Sequence, residues 1–475
     1  MARTPPPRKP SPRKPAASAK PSGADKPSTS AKPEGGKTPD RRGPGRPYSR
    51  HHPRPEAAPV PPNLPTYADA VSIVLRPGTA TPVLAGHPWL FSGALAHIVP
   101  GPQLVLEPGV RCALFDQHAR YLGVGYYNAD SQIAVRMIAG SPDALEPLKL
   151  PDLADLVRLR LRQAAALRRD WSLPSATTDA YRLANSEGDA LPGCTVDRFG
   201  EGASVQISTA GMWRLRAVIV AELRDQGCKW VTIRVPTDIH PSEGLLAGNV
   251  ESDGPVPAQV QVRHNGLLLR VEPGGGQKTG MYCDQRDNHL KVAQLAAGRF
   301  VLDCFSHTGG FGLHAARAGA ARVLCVDASQ KAADTVLQHA IDNDLPVQAQ
   351  CGDAVHLLRQ MAELPPQERP SLVIIDPPKY ATKGSAVDGA LRKYRALNVA
   401  AMQAVQPGGW LVSCSCSGLV EPDAFLRMIG SAAHEAGVQV HLAQLLGPAP
   451  DHPTAPAHAE GRYLKVALVR VLAKA

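Results

Sequence analysis

Two cysteines stand at alternate positions where an apolar run leaves its element: Cys414 and Cys416 in WLVSCSCSG. A thiolate at a strand exit has a distinctive use. Added to C6 of a pyrimidine, it turns the electron-poor C5 into an enamine carbon able to attack a methyl sulfonium. Such a thiolate must be partly exposed and easily deprotonated. Cys416 lies nearer the loop and is the candidate nucleophile; the plainer alternative makes both cysteines small buried hydrophobes. A second run, VIIDPPKY, is apolar up to Asp376 and then carries two prolines. The prolines forbid a helical continuation and hold the loop extended. A carboxylate and exposed carbonyls there could grip the amino group of a planar base, although an Asp-Pro-Pro turn is also ordinary punctuation.

A third run, VLDCFSHTGGF, passes directly into the apolar stretch FGLHAARAG. In an open α/β sheet, ligands bind beyond the carboxyl ends of the strands, where a Gly-rich turn lets backbone approach them. Gly309 and Gly310 occupy that place. Their spacing is not GxGxxG, so a dinucleotide, and with it a nicotinamide-dependent dehydrogenase, is disfavoured. Asp327 ends the next apolar run, 24 residues after Asp303, where a carboxylate can accept both hydroxyls of a ribose. Asp353, in CGDA, is placed to meet an adenine amino group. Each aspartate alone could be a helix cap; three strand ends in order carry more weight.

These residues need a parallel sheet to hold them. The strands expected are Phe300–Phe305, Arg322–Asp327, Val347–Cys351, Leu372–Asp376, Trp410–Ser415, Gln439–Leu446 and Tyr463–Leu472. Five helical patterns separate the first six, which predicts a doubly wound, mostly parallel seven-stranded sheet with an antiparallel edge. Ahead of it, the short apolar runs VSIVL, RCALF, YLGVGYY and IAVRMI, broken by Pro, Gly and Asp turns, suggest a small β-barrel. A helix from Leu153 to Trp171 with a basic face follows, serving as a connector or an RNA-facing surface. Residues 180–272 read as an α+β module with one helix near Met212–Gln226, and Glu251–Pro257 as a loop.

The chain has 475 residues, 43% of them hydrophobic, ample for several cores. No apolar run is of membrane-spanning or signal-peptide length, so a cytoplasmic protein with no membrane partner is expected. The nine cysteines form no CxxC pair, which argues against disulfides or a zinc cluster, and the scattered histidines suggest no ligand set. No metal is expected. Residues 1–55 carry 14 Lys or Arg against 3 Asp or Glu, a local +11 within an overall +10. The body is therefore near neutral, and this Pro-rich segment reads as disordered: either a solubilising extension or a basic arm for phosphates.

With those residues in hand, the chain resembles the bacterial large-subunit ribosomal RNA cytosine-C5 methyltransferases of the RlmI type. The resemblance covers roughly residues 71–472. It is carried by HPWLFSGA, SEGDALPGCTVDRFG, GQKTGMYCDQRDN, DCFSHTGGF, VDASQ, IIDPPK, SCSG, and DHP followed by EGRYLK. It implies a PUA domain (67–145), a helical connector with an α+β central domain (146–272) and a Rossmann-like methyltransferase domain (273–475) after a tail (1–66). The implied cofactor is S-adenosylmethionine (SAM), held by Phe305, Thr308, Gly309, Gly310, Asp327, Asp353 and Asp376, with Cys416 as the attacking thiolate. Gln277, Lys278, Asp284 and Arg286 would lie against cofactor and base. Lys379 stands where many RNA cytosine-C5 methyltransferases have a second cysteine, and is taken as a substrate contact. His307 departs from an aromatic common in relatives. The implied partner is large-subunit ribosomal RNA, its target base extruded from the stack; a homodimer is compatible. Product release then needs a base for the C5 proton, either Asp376 or a water it holds. Asp451, His452 and Pro453 would form a late loop that closes the site or merely turns. Two other readings stay open: an RNA base N-methyltransferase that uses Asp376-Pro-Pro, and a non-catalytic RNA-binding assembly factor.

Overall fold

The computed structural model describes residues 59–140, 150–274, 280–381 and 384–472. Gln277 and Lys278, the tail to residue 58 and the boundary expected at 145 lie outside the described residues.

Six strands come first: β1 (Val71–Leu75), β2 (Trp89–Phe91), β3 (Leu95–Pro100), β4 (Val110–Phe115), β5 (Tyr121–Tyr127) and β6 (Ile133–Gly140), with the short helix α1 (Thr81–Leu84) after β1. They form one sheet in the order β2-β6-β5-β4-β1-β3, in which only β1 and β4 run parallel. Among the described residues no ladder joins the edges β2 and β3. The strands β1, β4, β5 and β6 are buried on both faces. One face closes over Leu90, Leu95 and Val135. The other shares a core with the helix α2 (Leu153–Asp170) and with the module that follows.

That module is a sheet of β7 (Ala180–Asn185), β8 (Cys194–Phe199), β9 (Gly202–Ile207), β10 (Trp230–Arg234) and β11 (Val250–Asp253), in the order β11-β10-β9-β8-β7, with helices α3 (Ala210–Arg214) and α4 (Arg216–Asp225). The single helix expected there is thus two. Glu251–Asp253, read as loop, instead pairs antiparallel with β10, because an exposed edge strand needs little apolar content. A hairpin, β12 (Val260–His264) and β13 (Leu267–Val271), bridges to the last domain: Leu267, Leu269 and Val271 pack with Phe199 and Trp230 on one side and with Leu313 and Ala340 on the other.

After helix α5 (Arg286–Ala293) come β14 (Phe300–Cys304), α6 (Gly310–Arg317), β15 (Arg322–Asp327), α7 (Gln330–Asp342), β16 (Gln348–Cys351), α8 (Ala354–Glu363), β17 (Leu372–Ile375), α9 (Val387–Ala404), β18 (Trp410–Ser415), α10 (Pro422–Ala436), β19 (Gln439–Leu446) and β20 (Lys465–Leu472). The sheet order is β16-β15-β14-β17-β18-β20-β19. Its first five strands are parallel, and β20 runs antiparallel to both neighbours, as the lack of a preceding helix requires. β14, β17 and β18 read as continuous apolar runs because helices cover both faces, giving separate cores around Leu302, Val373 and Leu411 and around Val301, Ile374 and Val412.

Candidate active site

The strand order reverses between β14 and β17, and the crevice beyond that point is where an open α/β sheet takes its ligand. The turn from β14 into α6 is built to fit there. Phe305 (φ 62°), His307 (φ 47°) and Gly309 (φ 85°) all take left-handed backbone, a conformation that side chains other than glycine adopt only under constraint. The constraint comes from neighbouring strands. The Ser306 N–H donates to the Val326 carbonyl (3.1 Å), and the His307 N–H to Asp327 Oδ2 (2.9 Å). His339, buried on α7, takes the Arg270 N–H at Nε2 (2.9 Å) and therefore donates from Nδ1 to the Thr308 carbonyl (3.1 Å). Gly310 begins α6, and a Cβ on it would collide with the His289 imidazole.

Asp327 is half-buried at the end of β15, its second oxygen accepting the Ser329 N–H (3.0 Å). Asp353 is exposed and caps α8, one oxygen accepting the N–H groups of Val355 (2.7 Å) and His356 (3.2 Å). Asp376 is half-buried just past β17 and accepts from Gln285 Nε2 (3.0 Å). Asp303, used above only as a spacing marker, is buried beneath the turn. The Gly312 N–H donates to its Oδ2 (2.9 Å). Burial, together with the nearby Asp376 and Asp327 charges, pushes its carboxyl up to about 7. These strand ends thus gather carboxylates that repel one another, a setting that favours a cationic ligand.

The two cysteines separate as their positions suggest. Cys414 is fully buried, and burial holds its thiol far above the usual range. Cys416 is half-buried beyond the end of β18. Three residues that the sequence reading missed surround it. Tyr282 packs edge-on to His307 (ring centroids 4.9 Å); burial and then the charges of Asp284, Cys416, Asp376 and Asp327 push its phenol up to about 12. The Tyr463 hydroxyl donates to Asp284 Oδ2 (2.6 Å). Lys465, 2% exposed, donates to the carbonyls of Ser417 (2.6 Å) and Tyr463 (2.8 Å). Burial pushes its ammonium down to about 8 against the attraction of Cys416. The buried lysine in EGRYLK was the available signal, since a buried ammonium needs an anionic or carbonyl partner.

Arg286, implied by the resemblance to lie against cofactor and base, is 4% exposed and pairs with Asp451 Oδ2 (2.5 Å) and Asp287 (2.9 Å). Asp451 lies in the turn expected for the DHP run and is a buried hub. It also takes the Arg182 N–H (2.9 Å) and His452 Nδ1 (3.0 Å), and its own carbonyl accepts from Arg168 (2.6 Å). Arg168, expected on the solvated face of α2, is therefore fully buried and paired with Asp189 (2.6 Å). The histidines are not all scattered either: His264, His289 and His314 converge. Asp284 is buried beneath Tyr463, whereas Lys379 is exposed on the loop after Pro378 and near enough to Lys465 to oppose its charge.

Comparison with known proteins gives the family. Residues 247–470 match the S-adenosylmethionine-dependent methyltransferase family and residues 73–139 the PUA-like domain family. A solved chain described as a SAM-dependent methyltransferase from Streptococcus mutans superposes with a TM-score of 0.69 over 84% of this chain and 100% of its own, at 19% identity. A methyltransferase complexed with SAH gives the same score over 85% of this chain and 100% of its own, at 20% identity. Fold and site define a SAM-dependent methyltransferase with an appended PUA-like domain. Ribosomal RNA large subunit methyltransferase I of Salmonella arizonae is 36% identical over 414 residues, 86% of this chain and 99% of its own length. Its counterpart in Shewanella denitrificans is 35% identical over 410 residues, 85% and 100% respectively. The chain belongs to the ribosomal RNA large subunit methyltransferase I family.

Proposed function

We propose that this enzyme methylates C5 of a cytosine in large-subunit ribosomal RNA, through a thiolate adduct of Cys416 at C6. The observation that carries the reading is the placement of a half-buried thiol at the exit of β18, beside the carboxylate-rich ends of β14, β15 and β17 and next to the buried ammonium of Lys465.

In this reading the Gly309–Gly310 turn, Phe305, Thr308, Asp327 and Asp353 hold the cofactor, which supplies an electrophilic methyl group when bound. Asp376 and the extended Pro377-Pro378 backbone grip the base by its amino group, and Gln285 orients that carboxylate. Lys465 holds the Ser417 carbonyl and favours the thiolate of Cys416 electrostatically. The thiolate adds to C6, C5 takes the methyl group, and loss of the C5 proton expels the thiolate. Asp376, or a water it holds, is the base assigned to that proton. Gln277, Lys278 and Lys379 are assigned to the RNA strand, while the PUA-like and central domains, divided near residues 145 and 272, hold the RNA by shape and backbone. Such a substrate implies the cytoplasm; among the described residues no helix is long and apolar enough to cross a membrane.

The test is incubation with methyl-labelled SAM and unmodified large-subunit rRNA, digestion to nucleosides, and mass spectrometry beside Cys416→Ala. Labelled 5-methylcytidine from the wild type alone is expected. An N-methylated nucleoside would leave the N-methyltransferase reading, and equal product from both proteins would sink the cysteine mechanism and leave only a SAM-dependent RNA methyltransferase.

A further inference from the structure

Three histidines that the reaction does not use meet under the glycine turn. His264 ends β12, His289 lies on α5 and His314 on α6. One ring nitrogen from each lies within 4.8 Å of the other two, and the ring centroids are 5.7, 5.9 and 5.2 Å apart. All three are buried, at 0%, 6% and 3% exposure. A neutral imidazole has one N–H and one lone pair, and leaving a buried polar group unmet is costly. Among the described residues, neither nitrogen of His264 has a hydrogen-bond partner, nor does Nδ1 of His289 or Nε2 of His314.

His314 shows what the arrangement is suited to. Its Nδ1 lies 2.7 Å from the Gly310 carbonyl, which can only accept, so the proton sits on Nδ1; Nε2 keeps its lone pair and makes no hydrogen bond of its own, with the His264 backbone near the ring. A ring fixed by an N–H to backbone carbonyl, with its other nitrogen bare, is the usual state of a metal-ligating histidine.

We propose that His264, His289 and His314 bind one divalent transition-metal ion of the zinc class. An all-imidazole donor set selects zinc, copper, nickel or iron over magnesium or calcium. Bonds of about 2.0–2.1 Å in a tetrahedral arrangement would draw the nitrogens together by up to roughly 1.5 Å from their present limit and leave a fourth position for water. Because the ligands come from the β12–β13 hairpin, α5 and α6, the ion would staple the hairpin to the two helices around the glycine turn. The Phe311 ring, 4.6 Å from that of His289, and the depth of burial make the role structural.

The experiment uses full-length untagged protein from zinc-supplemented cells, dialysed and analysed by plasma mass spectrometry and X-ray absorption. A single ion per chain with a nitrogen-rich shell is expected, lost in His264→Leu and in His314→Leu. Should those variants fail to fold, refolding the wild type with Co²⁺ must yield the visible absorption of a tetrahedral cobalt site. Metal-free wild-type protein that takes up no Co²⁺ on refolding, or full metal content in folded variants of both histidines, overturns the proposal.

Discussion

Two buried aspartates divide the catalytic domain into regions of opposite character. Asp451 is surrounded by donors: the Arg286 guanidinium, the Arg182 N–H and His452. Against its burial, these hold its carboxyl down to about 2. Asp303 has one backbone N–H and two further carboxylates in range, and is pushed up to about 7. Both are Asp in short motifs, DHP and LDCF. The first region neutralises its own charge and joins elements distant in sequence; the second has no cationic partner for Asp303, which a proton or a cationic ligand would neutralise.

The sharpest separation between the regions is expected from paired substitutions. Cys416→Ala should lower kcat by at least about 10³-fold, the scale for removing a nucleophile, with SAM affinity measured calorimetrically unchanged. Cys414→Ala should keep turnover and cost only about 1 kcal/mol from a small cavity. Equal losses from both would mean that the thiols act through packing. In the other region, Asp451→Ala strands the buried charge of Arg286 and should cost about 3–5 kcal/mol in urea unfolding.

Acid titration distinguishes the two aspartates by sign. Asp451 has a folded pKa below its unfolded 3.8, so its contribution is present above that value and is lost as pH falls toward about 2. Asp303 binds its proton more tightly when folded. Between 3.8 and about 7 the native state holds a proton that the unfolded chain has released, and stability declines as pH rises through that window. Asp303→Asn should flatten this decline. It should also remove a rise in SAM affinity with pH through about 7, since a cation prefers the ionised carboxylate. A pH-independent difference between Asp303→Asn and wild type would dissociate Asp303 from the cofactor region.

Chain order and apolar period made the second region legible. VIIDPPKY and WLVSCSCSG name their strand, exit and candidate group together, and the seven strands fell within a residue or two of their expected bounds. The first region was hidden because its partners are far apart: Arg168, Arg182, Arg286 and Asp451 meet across segments separated by up to 283 positions. A linear reading assigns arginines to solvent by default. Lys465 and the three histidines escaped for the same reason, being polar residues within otherwise apolar packing. The edge strand β11, with Glu, Ser and Asp, lacked any apolar pattern to announce it.

The smallest expected effect tests whether the open region extends to the RNA. Lys379 is exposed, so Lys379→Ala should not alter stability. If its ammonium neutralises one phosphate, the slope of log affinity against log salt should fall by about 0.7–0.9, corresponding to about fivefold weaker binding at 0.15 M salt. Turnover at saturating RNA should then be unchanged, because a phosphate contact positions without entering the reaction. If the salt slope is unaltered while kcat drops, the lysine acts on the base itself, at the position where related cytosine-C5 enzymes use a second cysteine. Its proximity to Lys465 would then make these two amines, one exposed and one buried, parts of a single electrostatic device around Cys416.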